Sequence, residues 1–159
     1  MSDKPIPVAI AAIINNDELL LIKRVRGDYI GYWSLPGGKV DKDEHVSEAA
    51  TREVFEETGL KAEFKQQLGF VSELLKENGE VQKHFLLHVC LLEPFDYDVT
   101  RTQEGVSDWF SLKDIESMRN KIIPSDYEMI EHIIKKQEKN YFDCVVERDG
   151  DKHLLLKFE

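Results

Sequence analysis

Apolar runs separated by short polar turns predict that strands make up most of this chain. Val8–Ile14 is a continuous apolar run, which is typical of a strand buried on both faces. After Asn15-Asn16-Asp17 a second apolar run follows at Glu18–Arg24, so the two segments predict a β-hairpin. Ala62–Leu75 and Val81–Leu92 flank an Asn-Gly dipeptide, which is a strong short signal for another hairpin.

Two segments have the apolar spacing of a helix. Residues 45–58 predict a helix, and Gly59 follows as a candidate C-cap. Residues 124–139 predict a second helix, in which Ser125 and Glu128 have the spacing of a capping box. Its apolar stripe consists of Met129, Ile130, Ile133 and Ile134.

The remaining segments complete a mixed order of elements. Residues 106–112 predict a strand that leads into a short helix, and residues 142–158 predict a final hairpin that turns at Asp149-Gly150. The hairpin either extends the sheet or contacts a second subunit, so a homodimer is one expectation. Without a repeat or linker, residues 1–159 predict one α/β domain with a mixed sheet covered by helices on both sides.

Composition narrows the class of protein. Of 159 residues, 42% are hydrophobic and 33% are charged, and the net charge is -10. An acidic surface argues against binding a nucleic-acid polymer, whose backbone attracts basic surfaces. No apolar stretch is long enough to span a membrane and no signal peptide is evident, so we expect a cytoplasmic protein without a membrane partner. Cys90 and Cys144 form no metal-binding pattern and are expected to be buried, reduced thiols.

The first predicted helix carries an unusual group of acids. Glu53, Glu56 and Glu57 project within an arc of roughly 100° on one face, whereas Glu48 lies off that face. Carboxylate clusters of this kind suit Mg²⁺ or Mn²⁺, and one carboxylate could take a proton from an attacking water. The alternative is an ordinary solvated acidic helix face.

The residues around these acids fit a cation site. Arg52 could hold a neighbouring glutamate in a fixed rotamer by a two-pronged contact. Gly37-Gly38 lies just before the helix, where the chain can bring a backbone carbonyl close to the same cation.

The whole segment resembles the signature of the Nudix hydrolases. That signature is a glycine, five residues, a glutamate, seven residues, and then Arg-Glu-apolar-any-Glu-Glu-any-Gly-apolar. All nine specified positions are met, by Gly38, Glu44, Arg52, Glu53, Val54, Glu56, Glu57, Gly59 and Leu60. The resemblance implies an α/β/α sandwich that holds the motif as loop-helix-loop. It also implies Mg²⁺-dependent attack of water on a phosphoanhydride, with Mn²⁺ as another possible cation.

The resemblance also implies a role for each matched side chain. Glu56 and Glu57 would be the main metal ligands, and Glu53 would be a ligand or the general base. The carbonyl oxygen of Gly38 would be a further ligand, and Arg52 would orient Glu53.

Two other acids receive roles from the resemblance. Glu44 would stabilise the geometry of the loop and helix. Glu104 stands before the strand that contains Trp109, where several family members place a further metal-binding or proton-accepting glutamate. The alternative for Glu104 is a plain loop acid.

The substrate is less determined by the sequence. Arg24, Lys39 and Asp126 fall where the branch that hydrolyses oxidised nucleoside triphosphates binds phosphate or purine, although each also fits an ordinary structural position. A proline typical of members that act on ADP-ribose is replaced here by Leu75-Lys76. We therefore expect a small nucleotide substrate, either a nucleoside triphosphate or another nucleoside diphosphate derivative. The alternative function is a regulatory module that binds a nucleotide without hydrolysing it.

Overall fold

A computed structural model describes residues 3–99 and 101–159. Within these residues it has nine strands. In chain order they are β1 (Ile6–Asn15), β2 (Glu18–Arg24), β3 (Trp33–Ser34), β4 (Gly37–Lys39), β5 (Ala62–Glu77), β6 (Glu80–Pro94), β7 (Gly105–Ser111), β8 (Tyr141–Asp149) and β9 (Lys152–Phe158).

The helices are fewer and shorter than the strands. Helix α1 spans Val46–Thr58, and two 3₁₀ helices, Leu112–Asp114 and Glu116–Lys121, follow β7. Helix α2 (Pro124–Met129) continues directly into a π-helical segment at Ile130–Lys135. In the described part of the chain, no helix has both the length and the apolar character needed to cross a membrane.

Strand β1 lies at the centre of the sheet and contributes to a core on each face. Val8 and Ile10 pack in the core that includes α2, whereas Ala9, Ala11 and Ile13 pack in the core that includes α1. The continuous apolar run of β1 is thus buried on both faces, as predicted. With helices on both sides of a mixed sheet, the predicted α/β/α sandwich is confirmed.

The first predicted hairpin is only partly correct. β1 and β2 pair antiparallel at the turn, where Ile14 faces Leu19. The body of β1 pairs parallel with β6, and the whole of β2 pairs antiparallel with β7. The two strands diverge because each pairs with a strand that is distant in sequence, β1 with β6 and β2 with β7. The local sequence pattern does not specify such pairing.

The second and third hairpins form as predicted. β5 and β6 are antiparallel, and Asn78 and Gly79 in their turn have positive φ values of 54° and 78°. Positive φ at both turn residues is the requirement that makes Asn-Gly a hairpin signal. β8 pairs parallel with β5 and antiparallel with β9, so the C-terminal hairpin extends the sheet.

Helix α1 has defined ends and a closely packed inner face. The backbone N–H of His45 donates to Glu48 Oε1 at 2.8 Å, so Glu48 caps the first turn. Gly59 ends the helix with φ at 80°, as predicted. Ala49 and Ala50 are fully buried, and these small side chains let the helix lie close to the sheet.

The start of helix α2 differs from the prediction. Ile123 is the N-cap residue, and Pro124 follows it in the first turn. No side chain caps this end of the helix, so the predicted capping box of Ser125 and Glu128 is wrong. A proline suits this position because its missing N–H would have no partner there. The predicted apolar stripe is buried and packs in the core. The helical segment ends at Lys135, short of residue 139.

Both cysteines are free and buried, as predicted. Burial raises the pKa of the Cys90 thiol to about 11, so this side chain stays protonated at neutral pH.

Candidate active site

A cavity of about 360 Å³ lies where β2, β3, the end of α1 and the loop before β7 come together. It contains both carboxylates and guanidinium groups. Its lining residues are Ile22, Arg24, Arg26, Gly27, Ser34, Glu57 and Glu104.

Pairing of β2 with β7 brings Glu104 to this cavity. Arg24 lies opposite Gly105 in the register of the two strands, which places the preceding Glu104 nearby. Thr102 fastens the same loop to helix α1, because its Oγ1 donates to the carbonyl oxygen of Glu57 at 2.8 Å. The Thr102 hydroxyl also accepts a hydrogen bond from the Glu104 backbone N–H at 3.1 Å.

Glu57 is the most perturbed acid of the cavity. The backbone N–H of Gly37 donates to Glu57 Oε1 at 2.7 Å. Burial, together with the negative charges of Glu53 and Glu104, raises the pKa of Glu57 to about 8, although the hydrogen bond from Gly37 and the charge of Arg24 oppose the shift. A cation bound here would relieve this unfavourable concentration of negative charge.

Arg52 connects the acids of α1 to the preceding loop. Its Nη1 donates to Glu53 Oε1 at 2.9 Å and to Glu56 Oε1 at 3.2 Å. Its Nε and Nη2 form a two-pronged contact with Glu44 at 3.0 and 2.7 Å, and Nη2 also donates to the Lys39 carbonyl oxygen at 3.1 Å. The hydrogen bond from Arg52 lowers the pKa of Glu44 to about 2.

Gly38 leaves space for a carboxylate. In β4 it pairs with Ala9 of β1, and a Cβ atom at this position would collide with the carboxylate of Glu53. Burial raises the pKa of Glu53, although the bond from Arg52 opposes this. A glycine is therefore needed here for Glu53 to keep its position.

Three of the predicted site residues line the cavity, namely Arg24, Glu57 and Glu104, whereas six do not, namely Gly38, Lys39, Arg52, Glu53, Glu56 and Asp126. Lys39 is exposed and contributes its carbonyl oxygen to the Arg52 contact. Asp126 Oδ2 accepts a hydrogen bond from the backbone N–H of Leu35 at 2.9 Å, so it holds the loop that leads to the glycines. Burial raises the pKa of Asp126 to about 6.

Sequence reasoning missed three residues of this region. Arg26 lines the cavity and pairs with Glu104 at 2.9 Å, Ser34 also lines it, and Thr102 anchors the loop. The sequence did offer a signal for Arg26, because residues two apart in an extended chain point to the same side and Arg26 lies two residues after Arg24. Ser34 and Thr102 reach the site through tertiary pairing, for which the sequence has no comparable signal.

The donor set fits a hard divalent cation. The resemblance assigns the ligands to carboxylate oxygens and the Gly38 carbonyl oxygen, and oxygen atoms of these kinds are the ligands that Mg²⁺ and Mn²⁺ prefer. Across residues 3–99 and 101–159, no three His, Cys, Asp or Glu side chains converge closely enough to hold a metal ion as they stand. Glu53 and Glu56 share the Arg52 guanidinium instead. The acids would reach one cation after rotation of their side chains, and Glu56 is exposed and free to make that rotation.

Comparison with protein families finds a match to the NUDIX domain over residues 5–133. The human protein nucleoside diphosphate-linked moiety X motif 6 is 30% identical over 115 residues, which are 71% of this chain and 36% of that protein. The ADP-ribose pyrophosphatase of Methanocaldococcus jannaschii is 47% identical over 66 residues, which are 41% of this chain and 39% of that protein. The chain thus spans less than half the length of these two relatives.

Solved structures show the same fold. The mutator MutT protein from Bacillus halodurans superimposes with a TM-score of 0.80 over 97% of this chain and 96% of that protein, at 20% identity.

Proposed function

Because this chain belongs to the Nudix hydrolase family, we propose that it is a divalent-metal-dependent pyrophosphohydrolase of small nucleotides. The reaction is attack of water on a phosphoanhydride bond. The substrate is a nucleoside triphosphate, including an oxidised one, or another nucleoside diphosphate derivative.

One observation carries the proposal, namely the mixed charge of the 360 Å³ cavity. Glu57 and Glu104 face the same space as Arg24 and Arg26. Carboxylates bind a divalent cation and guanidinium groups bind phosphate oxygens, so the two kinds of group together suit a metal-bound di- or triphosphate. Burial raises the pKa of Glu57 to about 8, and a carboxyl group perturbed in this way favours a catalytic site over a module that only binds nucleotides.

The side chains divide into those that hold the cation and those that act on the substrate. Glu56 and Glu57, with the carbonyl oxygen of Gly38, would hold Mg²⁺ or Mn²⁺. When bound, the cation would neutralise phosphate charge and favour a water that loses a proton. Glu53 would take part as a further ligand or as the general base.

Arg24 and Glu104 would act directly on the substrate. The Arg24 guanidinium would bind phosphate oxygens. Glu104 would be a metal ligand or the acceptor of the water proton, because it lines the cavity close enough to raise the pKa of Glu57. Arg26 would release Glu104 on binding phosphate, since both side chains of that ion pair are largely exposed and the pair is weak.

Arg52, Lys39 and Asp126 would act from outside the cavity. Arg52 orients Glu53. Asp126 holds the loop before Gly37-Gly38 through Leu35, and a purine could reach its second carboxylate oxygen. The Lys39 ammonium is exposed and would meet only a phosphate that extends beyond the cavity.

Two observations bear on the substrate class. One relative is named an ADP-ribose pyrophosphatase, and that name specifies a nucleoside diphosphate derivative. For a nucleoside triphosphate, the support is the sequence resemblance, which places Arg24, Lys39 and Asp126 where the triphosphate branch binds phosphate or purine.

The test is hydrolysis of a nucleotide panel by the purified chain with Mg²⁺ or Mn²⁺. The panel contains normal and oxidised nucleoside triphosphates, ADP-ribose, nucleotide sugars and dinucleoside polyphosphates. We expect metal-dependent release of a nucleoside monophosphate, and we expect Glu57→Gln to lower kcat at least about a hundredfold, which is roughly 3 kcal/mol of barrier.

Glu80→Gln is the matched control, because Glu80 is exposed at the start of β6 and far in sequence from the site. It should keep wild-type kcat. Saturable nucleotide binding without hydrolysis of any panel member would favour the regulatory module, and full activity of Glu57→Gln would contradict the site.

A further inference from the structure

A second cavity, of about 410 Å³, lies beside the loop that carries Arg26 and Gly27 of the active-site cavity. This volume is within the range of roughly 300–1,000 Å³ that is usual for small-molecule sites. We call it the hairpin cavity, because strand β9 of the C-terminal hairpin forms one of its walls. Residues that define it are Tyr29, Tyr32, Arg119, Tyr127, Lys152 and His153.

The hairpin wall is separate from the catalytic motif. The family match ends at residue 133, whereas β8 and β9 span residues 141–158. Tyr29 joins this wall to the loop: its hydroxyl donates to the carbonyl oxygen of His153 and accepts from the His153 backbone N–H, both at 2.5 Å. Tyr29 is only 5% exposed, so this contact is a fixed part of the cavity.

Aromatic rings and cations occur together in the lining. The Arg119 guanidinium lies over the ring of Tyr127 at 5.0 Å, and the Lys152 ammonium lies 5.7 Å from the ring centre of Tyr32. Tyrosine rings offer flat surfaces for stacking, and cations beside them attract an anionic group.

The acid in the lining is already engaged. Glu128 accepts from His132 Nε2 at 3.0 Å and lies 3.8 Å from Arg119. Its negative charge is therefore shared with two cationic or titratable partners. Lys152 adds a further positive charge at the edge of the cavity, in a chain whose net charge is -10.

We propose that the hairpin cavity binds a planar aromatic ring that carries an anionic group, which is the chemistry of a nucleoside monophosphate. The ring stacks against Tyr32, since Tyr29 and Tyr127 are only 5% and 6% exposed, and the phosphate binds Arg119 and Lys152. This site goes beyond the proposed hydrolytic function, because none of the acids of the cation site lines it.

The hairpin cavity and the active-site cavity share one loop, which contributes Tyr29 and Tyr32 to the first and Arg26 and Gly27 to the second. The loop from Arg24 to Tyr32 has positive φ at Gly27, Tyr29 and Gly31, so its shape depends on contacts that hold it. The ligand has two sources with the same chemistry. It is either the distal nucleotide of a dinucleoside substrate or a separate nucleotide that binds beside the active site.

The experiment is titration of the 159-residue chain with AMP by isothermal calorimetry. Lys152→Glu is compared with Lys157→Glu, since both lysines are exposed on β9 but Lys157 does not line the hairpin cavity. Arg119→Glu is compared with Lys121→Glu, which lies in the same 3₁₀ helix outside the lining. We expect Lys152→Glu and Arg119→Glu each to weaken AMP binding at least about tenfold, and each control to leave it within about twofold.

Equal affinity of Lys152→Glu and Lys157→Glu would overturn the proposal, and so would the absence of saturable AMP binding. AMP binding that is lost in Arg24→Ala but kept in Lys152→Glu would also overturn it, because the ligand would then occupy the active-site cavity. Circular dichroism checks that each variant is folded.

The two sources differ in kinetics. If the ligand is the distal nucleotide, Lys152→Glu raises KM for a dinucleoside polyphosphate and leaves KM for a nucleoside triphosphate unchanged. If it is a separate nucleotide, added AMP changes KM for the triphosphate in the wild type and not in Lys152→Glu. Binding by Glu57→Gln separates this inference from hydrolysis, since that variant should bind AMP at the hairpin cavity whether or not the wild type hydrolyses nucleotides.

Discussion

Glu73 is a nearly buried carboxyl group on β5, on the face of the sheet that packs against α2. Its Oε1 accepts from the Cys144 thiol at 3.8 Å. Burial, together with the negative charge of Asp126, raises the pKa of Glu73 to about 7. The folded chain therefore keeps the proton of this carboxyl group at pH values where the unfolded chain has released it.

This residue predicts a loss of stability as the pH rises. Because the folded-state pKa of Glu73 is above its ordinary value of 4.5, the folded chain binds a proton that the unfolded chain releases between about pH 4.5 and 7. We expect the free energy of unfolding to fall from pH 5 to pH 8, and to fall by roughly 1–3 kcal/mol less in Glu73→Gln. Urea denaturation at the two pH values measures this. The exposed control Glu80→Gln should follow the wild type, and identical pH dependence in Glu73→Gln would contradict the assignment.

At the scale of the element, α1 and its preceding loop form a unit that Arg52 holds together. The two-pronged bond to Glu44 reaches the loop, and Nη1 reaches Glu53 on the helix itself. Glu44 also accepts from the backbone N–H of Asp41 at 2.9 Å, which fixes the turn of the loop. One guanidinium therefore sets the distance between the glycines and the acids.

Arg52→Lys tests this geometry without changing the charge. A lysine ammonium cannot make the two parallel bonds to Glu44, so we expect a loss of roughly 1–3 kcal/mol of stability and a fall in kcat of at least about tenfold. Urea denaturation and hydrolysis assays measure the two effects. A double-mutant cycle with Glu44→Gln should be non-additive, whereas additive effects would show that the two side chains act independently.

The elements differ in how far the sequence could predict them. The predicted C-terminal end of helix α1 was correct, because Gly59 ends the helix through its own backbone conformation. The predicted Asn-Gly turn was correct for the same reason. The prediction for the body of the first hairpin was wrong, because β1 pairs with β6 and β2 pairs with β7 there. The capping box at Ser125 was wrong because Pro124 already satisfies the helix start.

The site shows the same division. The matched spacing predicted the acids on α1, and Arg24 and Glu104 came from the resemblance. Their presence in one cavity depends on β2 pairing with β7. Arg26 and Ser34 belong to that cavity for the same reason, and a one-dimensional pattern cannot specify such a pairing.

At the scale of the whole molecule, the cation site concentrates negative charge in a chain that is already acidic. Glu57 is the clearest example, since burial and two neighbouring acids raise its pKa to about 8. At pH values above the ordinary pKa of a glutamate, this side chain therefore lowers the free energy of unfolding of the metal-free chain. A ligand that binds only the folded state raises the free energy of unfolding, and the gain increases with the ratio of free ligand concentration to Kd.

Mg²⁺ should therefore raise the melting temperature of the wild type more than that of Glu57→Gln. Metal at a hundred times its Kd adds about 2.7 kcal/mol to the folded state, and Glu57→Gln loses most of this gain because it removes a ligand. Differential scanning fluorimetry at pH 7.5 measures both chains with Mg²⁺ and with KCl of equal ionic strength. Without Mg²⁺, Glu57→Gln should be at least as stable as the wild type, because Glu57, with a pKa of about 8, must take up a proton on folding at pH 7.5 and the amide need not. Equal Mg²⁺ shifts in the two chains would mean that the cation binds elsewhere, even if Glu57→Gln were inactive.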